Sequence, residues 1–553
     1  MRALVSLILL MIVCQSIAAQ DHDYLPHYDR YHLLEKAYSL TGRAQKQPFF
    51  SQIKPLSRLK AVEMLKGSPG DSLWKQQLYN DAPEYSKVPQ RDSDQSFGSH
   101  FYQSEADFFT VEEEGFDLHI NPVWQFGVGN DPGVSNRLFV NSRGFDLRGT
   151  IDKRVSFSTR FIENQVQYPA YVKDVADSIG LVPYEGFWKE YNETTTDFFR
   201  AFGYVDVGVS KHISAQLGFG RHFIGNGIRS MVLSDFGNSY PYLKVNTQIW
   251  KISYTNIFAE LIADAFTFDG GTLGASRYPK KYLASHTLEI EITPNFHFGL
   301  FETVIMGKPD SLGGSRFEFA YLNPIIFYRA VEQQDGSFGN ALLGATFRWD
   351  IKKKINIYGQ FLLDELIISE LKAGNDWWGN KYGYQVGMQV FDLGLVGLDL
   401  KIEHNAARPY TYSHQDVYTA YTHYDQPLAH PLGANFREWL LQVYYQPHPK
   451  WELHLHGVHA KYGADQNGIY FGQNPHTSYN LRPQDYGQQL LQGNTGTLNF
   501  VQSRVSYQWR HNIYADAYAI IRQESFETSL PDQNSTIFGV GFRINMPYRN
   551  YLF

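Results

Sequence analysis

The sequence is almost devoid of cysteine. Cys14 is the one cysteine among 553 residues, and it lies within an apolar run near the N-terminus. A disulfide bond needs two cysteines and a thiolate zinc site needs several, so neither stabilises this fold. Packing, backbone pairing or contact with lipid must do so instead.

Long apolar runs are also missing beyond residue 20, and the mean hydropathy is −0.36. A membrane-spanning helix needs about 20 consecutive apolar residues, which excludes a helical membrane protein. A β-barrel in lipid needs only every second residue to be apolar. Because 16% of the residues are aromatic, among them 38 Tyr and 39 Phe, a barrel fits the composition.

The sequence has neither a low-complexity linker nor an excess of positive charge. The lack of a linker favours one large unit over several soluble domains. A formal net charge of −7 argues against a nucleic-acid-binding protein. We therefore expect that the protein does not bind nucleic acid.

The N-terminus has the layout of a secretory signal peptide: a basic residue, an apolar run and a small-residue end follow one another. We expect residues 1–19 to be removed, so that the mature chain begins near Gln20. Cys14 raises the alternative of a lipoprotein. Val13 disfavours it, because lipid attachment sites need a small residue before the cysteine.

Residues 24–80 have the spacing of helices. Tyr31, Leu34 and Tyr38 share one helical face, and Ser57 is placed to cap a second helix. A third short helical turn is expected further along. We interpret this segment as a plug or foot for the structure that follows it.

The apolar period changes to two at Gly115. In residues 355–364, for example, Ile357 and Phe361 share one face of a strand and Asn356 shares the other. The same alternation is found in residues 287–292, 396–403 and 513–521. These segments are predicted to be β-strands with one apolar and one polar face.

Connections between the predicted strands alternate between short turns and long loops. The short turns are centred on residues 152, 211, 294, 353, 448 and 511. The long loops span residues 166–196, 221–239, 307–338, 365–381, 405–432 and 462–494. Short turns at one rim and long outward loops at the other are typical of outer-membrane barrels.

The predicted fold is therefore an all-β, transmembrane antiparallel β-barrel of about eighteen strands with a small N-terminal helical segment. An even strand number returns the C-terminus to the rim with the short turns. The predicted parts are a signal peptide (1–19), an N-terminal periplasmic helical segment with a linker (20–113), and the outer-membrane barrel (114–553).

The last strand has a clear register. Phe542 and Ile544 are expected to face lipid, whereas Arg543 and Asn545 face the lumen. Pairing with the first strand, near Gly115, would leave no free edge. In this register Ile544→Arg should destabilise the barrel, and Arg543→Gln should be mild.

No pattern of catalytic or metal-binding residues stands out. His454 and His456 share one strand face with Glu452, but no further ligand follows at a spacing typical of metal sites. The nucleophile motif GxSxG and the zinc motif HExxH are both absent. We therefore expect no enzymatic activity, no cofactor and no bound metal.

Two long loops combine aromatic, amide and charged side chains. Trp377, Trp378 and Asn380 are close in sequence, and Arg408 precedes a second run. That run contains Tyr410, Tyr412, His414, Tyr418, Tyr421, His423, Tyr424 and His430. Aromatic rings can stack on the C–H faces of sugars, while Arg and Asn can pair with hydroxyls or carboxylates. The alternative is an aromatic girdle at the lipid headgroups, with loops packing on one another.

Several strings resemble the Wzi family of capsule-assembly outer-membrane proteins, in the Bacteroidetes version that includes the gliding-motility protein RemB. They are GFGRHFIGNGIRSMVLSDFGNSYPYLKV from Gly218, FEFAYLNPIIFYRAVE from Phe317, NALLGATFRWDIKKKINIYGQFLLDE from Asn340, WWGNKYGYQVGMQVFD from Trp377, RPYTYSH from Arg408 and YTHYDQPLAHPLGANFRE from Tyr421. The resemblance covers roughly residues 195–465. It implies a barrel with a small periplasmic helical bundle, acting as a surface lectin that attaches capsular polysaccharide to the outer membrane.

No ligand residue carries over from the family. The ligand-binding candidates are chosen for their chemistry and their position in predicted extracellular loops. They are Arg221, Asn226, Arg229, Asp235, Arg329, Trp377, Trp378, Arg408, Tyr410, His414 and His423.

Three functions fit the sequence. The first is a non-enzymatic outer-membrane barrel that binds or organises surface (capsular) polysaccharide. The second is a structural component of a gliding-motility or adhesion apparatus, which would need partner proteins of the surface machinery. The third is an outer-membrane diffusion channel with an open lumen. Each places the barrel in contact with outer-membrane lipid and the N-terminal segment in the periplasm.

Overall fold

The chain folds into a closed antiparallel β-barrel of 18 strands. The computed structural model describes residues 31–41, 48–66, 73–82, 85, 102–103, 106–152, 154–185, 189–192, 194–263, 278–307, 317–323, 339–528 and 530–551. The predicted fold class and strand number are confirmed. The predicted signal peptide lies outside the described residues.

The barrel strands follow one another around the wall in chain order. They are β1 (Phe116–Asn130), β2 (Leu138–Ile151), β3 (Val155–Gln167), β4 (Thr195–Ser210), β5 (Ile213–Gly220), β6 (Tyr240–Ile249), β7 (Ile252–Ile262), β8 (Lys280–Thr293), β9 (Phe296–Met306), β10 (Asn340–Ile351), β11 (Ile355–Glu365), β12 (Lys381–Val390), β13 (Leu398–Ala407), β14 (Phe436–His448), β15 (Trp451–Ala464), β16 (Asn494–Arg510), β17 (Ile513–Phe526) and β18 (Gln533–Ile544). β18 pairs with the second half of β1, with Phe542 opposite Phe126, which closes the wall. A short strand, Phe109–Glu113, pairs with the start of β1.

The two faces of the wall differ in chemistry. In β13, Asp399, Lys401 and Glu403 point inward and are buried. On β18, the outward side chains of Phe538 and Val540 are 61% and 56% exposed. An apolar exterior and a polar interior are characteristic of outer-membrane barrels, because lipid surrounds the wall. The alternation predicted from the sequence thus has the right register.

The outward face of β18 allows a direct test of this register. Replacing Val540 with Arg places a charge on the exposed face near the middle of the strand. We expect a loss of about 2–4 kcal/mol if that position is near the bilayer midplane. The measurement is the fraction of heat-resistant folded barrel in isolated membranes.

Asn534→Arg is the matched control, since Asn534 is on the same face but at the long-loop end of β18. The cost of a charge falls towards the interface, so this variant should fold nearly as well as the parent protein. If Val540→Arg is tolerated equally well, the outer face of β18 does not contact lipid.

Five helices are present in the described residues: α1 (Tyr31–Thr41), α2 (Arg58–Lys66), α3 (Leu73–Asn80), α4 (Ala170–Ile179) and α5 (Ile368–Ala373). The Ser57 hydroxyl accepts a hydrogen bond from the Lys60 backbone N–H at 3.1 Å, which confirms the predicted cap of α2. Helices α1, α2 and α3 share one apolar cluster, which includes Leu34, Tyr38 and Leu65. None of the helices in these ranges is long and apolar enough to cross a membrane.

Helices α1 to α3 close the short-turn end of the barrel. Lys36 Nζ lies 2.7 Å from Asp392 Oδ1 and 2.9 Å from Asp399 Oδ1, where β12 connects to β13. After α3, Asp81 Oδ1 lies 2.9 Å from the Nε2 atom of His511, in the turn between β16 and β17. The helical segment predicted from the sequence is therefore joined to the inner wall at several short turns.

A loop from the opposite end also enters the lumen. The inner loop, residues 221–239, connects β5 to β6 and is almost entirely buried. Its Met231 backbone N–H donates to Gln360 Oε1 of β11 at 2.7 Å. Ile224 pairs as a short strand with Ile53, which precedes α2. The prediction that this loop faces outward is wrong, because it meets the N-terminal segment inside the barrel.

The C-terminal segment also enters the lumen. The C-terminal tail, residues 545–551, leaves β18 at the short-turn end and runs inward. Arg549 donates to Asn164 Oδ1 of β3. The Tyr551 carbonyl accepts a hydrogen bond from the Tyr171 hydroxyl of α4 at 3.1 Å. The tail thus reaches the long-loop end, although β18 itself ends at the short-turn rim as predicted.

Candidate functional site

The ligand-binding candidates do not form a single site. Five lie near one another at the long-loop end: Trp377, Trp378, Arg408, Tyr410 and His414. Four lie on the inner loop: Arg221, Asn226, Arg229 and Asp235. His423 lies apart from both groups, and Arg329 is outside the described residues.

Two long loops are joined at the long-loop end by main-chain hydrogen bonds. The Trp378 N–H, between β11 and β12, donates to the Asp485 carbonyl at 2.8 Å, between β15 and β16. The Gly487 N–H returns a hydrogen bond to the Asn375 carbonyl at 3.0 Å. The relative position of the two loops is fixed in this way, although they are about one hundred residues apart in sequence.

Aromatic rings and an arginine pack against one another where these loops meet. The Tyr479 ring centroid lies 4.7 Å from that of Trp378. The Arg482 guanidinium carbon lies 3.9 Å from the Trp378 ring centroid, and the Trp377 ring lies 5.7 Å from the same centroid. We call Trp377, Trp378, Tyr479 and Arg482 the rim platform. All four side chains are partly accessible.

Tyr479 and Arg482 were not among the sequence-based candidates. They occur in the predicted long loop 462–494, but in a stretch of mixed polar residues that no periodicity distinguishes. Their contact with Trp378 depends on the pairing of two distant loops. The neighbouring Tyr486, also missed, is 51% exposed and adds an accessible ring.

Arg408 and Tyr410 support the platform from beneath. Arg408 Nη2 donates to the Gln488 carbonyl at 3.0 Å, which joins the end of β13 to the loop between β15 and β16. Tyr410 is fully buried, and its hydroxyl donates to the Tyr470 carbonyl at 3.2 Å. The loops cover the Tyr410 ring, so it is not accessible in this conformation, and its role as a ligand contact stays a prediction.

The two candidate histidines are neutral. Burial lowers the pKa of His414 to about 4, and its Nδ1 atom accepts from the Thr419 hydroxyl at 2.6 Å. Burial lowers the pKa of His423 to about 3. The His423 Nδ1 atom accepts from the Ile262 N–H at 3.0 Å, so its ring joins two loops and is not available to a surface ligand.

The inner-loop candidates are bound to the barrel wall. Arg229 Nη2 lies 3.2 Å from Glu438 Oε1, and the Arg229 N–H donates to Glu403 Oε1 at 3.0 Å. Asn226 Oδ1 accepts from the Ser51 hydroxyl at 2.8 Å. Arg221, Arg229 and Asp235 line a cavity within the lumen. These side chains are enclosed in the lumen, so they do not lie in an exposed extracellular loop, and their contact with a ligand stays a prediction.

Two histidines that the sequence places on one strand face lie together in the lumen. His454 and His456 face the lumen as predicted, with ring centroids 6.0 Å apart. Among the described residues, no group of three or more His, Cys, Asp and Glu side chains could hold a metal ion.

The rim platform offers the chemistry of sugar recognition. Its rings supply apolar faces for C–H groups, and Arg482 adds a cation held by Asp485, whose Oδ1 accepts from Arg482 Nε at 2.7 Å. The platform is anchored by backbone hydrogen bonds, so little conformational entropy is lost when a ligand binds.

No protein-family model matches the chain, and no curated protein matches it. Among solved structures, the chain is similar to Wzi of Escherichia coli, described as a carbohydrate-binding β-barrel of the outer membrane involved in group 1 capsule assembly. The identity is 12%, the TM-score is 0.54, and the match covers 93% of this chain and 98% of that chain. This likeness establishes the outer-membrane barrel fold.

Two further solved structures match less well. OprD of Pseudomonas aeruginosa is 8% identical with a TM-score of 0.41, over 77% of this chain and 95% of that one. OccAB2 of Acinetobacter baumannii is 7% identical with a TM-score of 0.42, over 78% and 98%.

Proposed function

We propose that the protein is a non-enzymatic outer-membrane barrel that binds surface polysaccharide at its rim platform. The observation that carries this proposal is the fixed group of Trp377, Trp378, Tyr479 and Arg482. The likeness to a carbohydrate-binding barrel supports it. The ligand would be an exported glycan such as a capsular polysaccharide.

This proposal requires that the long loops face the outside of the cell. Short turns and a helical plug at the periplasmic side are the usual arrangement of outer-membrane barrels. Helices α1 to α3 lie at the short-turn end, which supports a periplasmic position for them. A binding site for polysaccharide would then be exposed at the cell surface.

The proposal is tested by the retention of surface glycan on cells. We expect the double variant Trp377→Ala and Trp378→Ala to weaken retention roughly tenfold, because each ring contributes about 0.5–1.5 kcal/mol beyond its buried area. Cell-associated and released polysaccharide are measured after gentle washing, with folded barrel in the membrane as a reference.

Trp250→Ala is the control for the loss of an exposed tryptophan. Trp250 is 76% exposed in the turn between β6 and β7, at the opposite rim. Retention should stay at the parent level in this variant. Equal retention in all three proteins would remove the main support for polysaccharide binding.

A structural role in a motility or adhesion apparatus is the second candidate. Helix α5 has no buried residue, with Ile368 at 61% exposed and Leu371 also exposed, and Leu481 in the loop between β15 and β16 is 64% exposed. Exposed apolar side chains grouped on a surface often mark a protein contact. Mild-detergent purification with and without Ile368→Ser tests this role. A partner that is lost in the variant supports it, and a single-species particle counts against it.

A further inference from the structure

A cavity of about 260 Å³ lies in the lumen, apart from the rim platform. Its walls come from α1, the inner loop, the C-terminal tail and the inward faces of β14 to β16. A single water needs only about 10–15 Å³ of such space. The cavity therefore has room for a small solute.

Cationic side chains predominate in the cavity wall. Five arginines and two lysines line it, against three carboxylates. Some of these charges compensate one another: Arg200 Nε lies 2.8 Å from Glu185 Oε2, and Lys401 Nζ lies 3.1 Å from Glu35 Oε2. Arg229 pairs with Glu438, a carboxylate that does not itself line the cavity. The cations still exceed the carboxylates after Glu438 is included, which favours an anion in the cavity.

Two buried histidines direct N–H donors at this space. His456 Nδ1 accepts from Gln442 Nε2 at 3.2 Å, so its proton is on Nε2. The His222 backbone N–H donates to the Tyr240 hydroxyl at 3.2 Å, and the ring Nδ1 atom lies 3.3 Å from the same hydroxyl, a contact that suits a His222 ring with its proton on Nε2. Both Nε2 atoms are buried without a hydrogen-bond partner in the described part of the chain.

Stacked rings and the C-terminal tail form two further sides of the cavity. The His454 ring is stacked on Tyr444 at 4.3 Å, and Tyr444 is stacked on His32 of α1 at 3.9 Å. On the other side lies Arg549 of the tail. Its Nη1 atom is buried, and no described residue accepts a hydrogen bond from it. A buried donor without an acceptor is destabilising, so a bound acceptor would stabilise this arrangement.

We propose that this cavity is a binding site for a small oxyanion, a carboxylate or phosphate group carried by a solute no larger than a monosaccharide. The excess of cations selects for negative charge, and the histidine and arginine N–H groups supply directed hydrogen bonds. This site is separate from the rim platform, and it does not depend on polysaccharide binding there.

The test is equilibrium dialysis of the full-length protein in detergent micelles against labelled glucuronate, inorganic phosphate or glucose. We expect either or both anions to bind saturably, and glucose, which has the same hexose frame as glucuronate without the charge, not to bind. His456→Phe keeps the ring shape and removes the donor, so it should weaken anion binding about tenfold or more. Arg549→Gln should weaken it without altering the barrel wall.

His459→Phe is the matched control, since His459 is on the same strand but points outward. This variant should bind the anions as the parent protein does. The inference is overturned if neither anion binds the parent protein, or if glucose binds equally well. It is also overturned if both cavity variants bind like the control.

Discussion

Replacing Arg543 with Gln is expected to destabilise the barrel by about 3–5 kcal/mol, the usual cost of removing one partner from a buried ion pair. Arg543 is 1% exposed, and its Nε atom lies 2.7 Å from Asp516 Oδ2 on the neighbouring strand β17. Its Nη1 atom donates to the Met546 carbonyl at 3.0 Å, at the start of the tail. The change leaves Asp516 buried and uncompensated.

The measurement is equilibrium unfolding by guanidinium in detergent micelles. Lys173→Gln is the control, because Lys173 Nζ lies 2.8 Å from Asp177 Oδ2 in an exposed pair on α4. Such a pair contributes only about 0–1 kcal/mol. The double variant Arg543→Gln and Asp516→Asn should recover part of the loss, since no charge is then left alone. A cost for Arg543→Gln no larger than that for Lys173→Gln would contradict this account.

This expectation reverses the one drawn from the sequence. The alternation of β18 correctly places Arg543 towards the lumen, where a wide water-filled barrel would tolerate a change to Gln. The structure instead fills the lumen with the N-terminal helices, the inner loop and the tail. The ion pair with Asp516 is therefore buried, and the substitution that the sequence predicts to be mild becomes costly.

Deletion of residues 24–80 is expected to convert a closed barrel into a conducting one. Helix α1 is joined to the wall through Lys36 and Asp399, and Ile53 pairs with the inner loop. This deletion opens the short-turn end and leaves only the inner loop and the tail in a barrel wide enough for an aqueous channel, so conductance should rise roughly tenfold or more. Planar-bilayer recordings of the full-length and deleted proteins measure this change.

The inner loop provides the control for this deletion. A variant that joins Gly220 directly to Tyr240 keeps the helices and removes the loop. It should remain nearly closed, because α1 to α3 still cover the short-turn end. A large, steady conductance in the full-length protein would favour a diffusion channel and contradict the view that these segments fill the lumen.

The wall of the barrel could be predicted from the sequence, because lipid and lumen impose a period of two on every strand. The contents of the lumen could be predicted only in part: the sequence favours a plug for the helical segment, but it does not place the inner loop and the tail inside the barrel. An inward loop such as 221–239 is as polar as an outward one, since the barrel interior is itself polar. The tail, residues 545–551, likewise has no signal that separates it from a free chain end.

The candidate site was predicted only in part for a related reason. Trp377 and Trp378 are recognisable as a local aromatic pair. Their neighbours Tyr479 and Arg482 reach them only through hydrogen bonds between two loops, such as that from Trp378 to Asp485. Composition also suggested Tyr410 and His423, which share the residue types of a sugar site but hold loops together.

Direct binding of purified surface polysaccharide to the purified protein tests the central claim most directly. The parent protein in detergent micelles should bind the glycan saturably, and Trp250→Ala should bind it equally well. The double variant Trp377→Ala and Trp378→Ala should bind roughly tenfold more weakly. An absence of binding by the folded parent protein, or equal affinity in the double variant, would contradict polysaccharide binding at the rim platform.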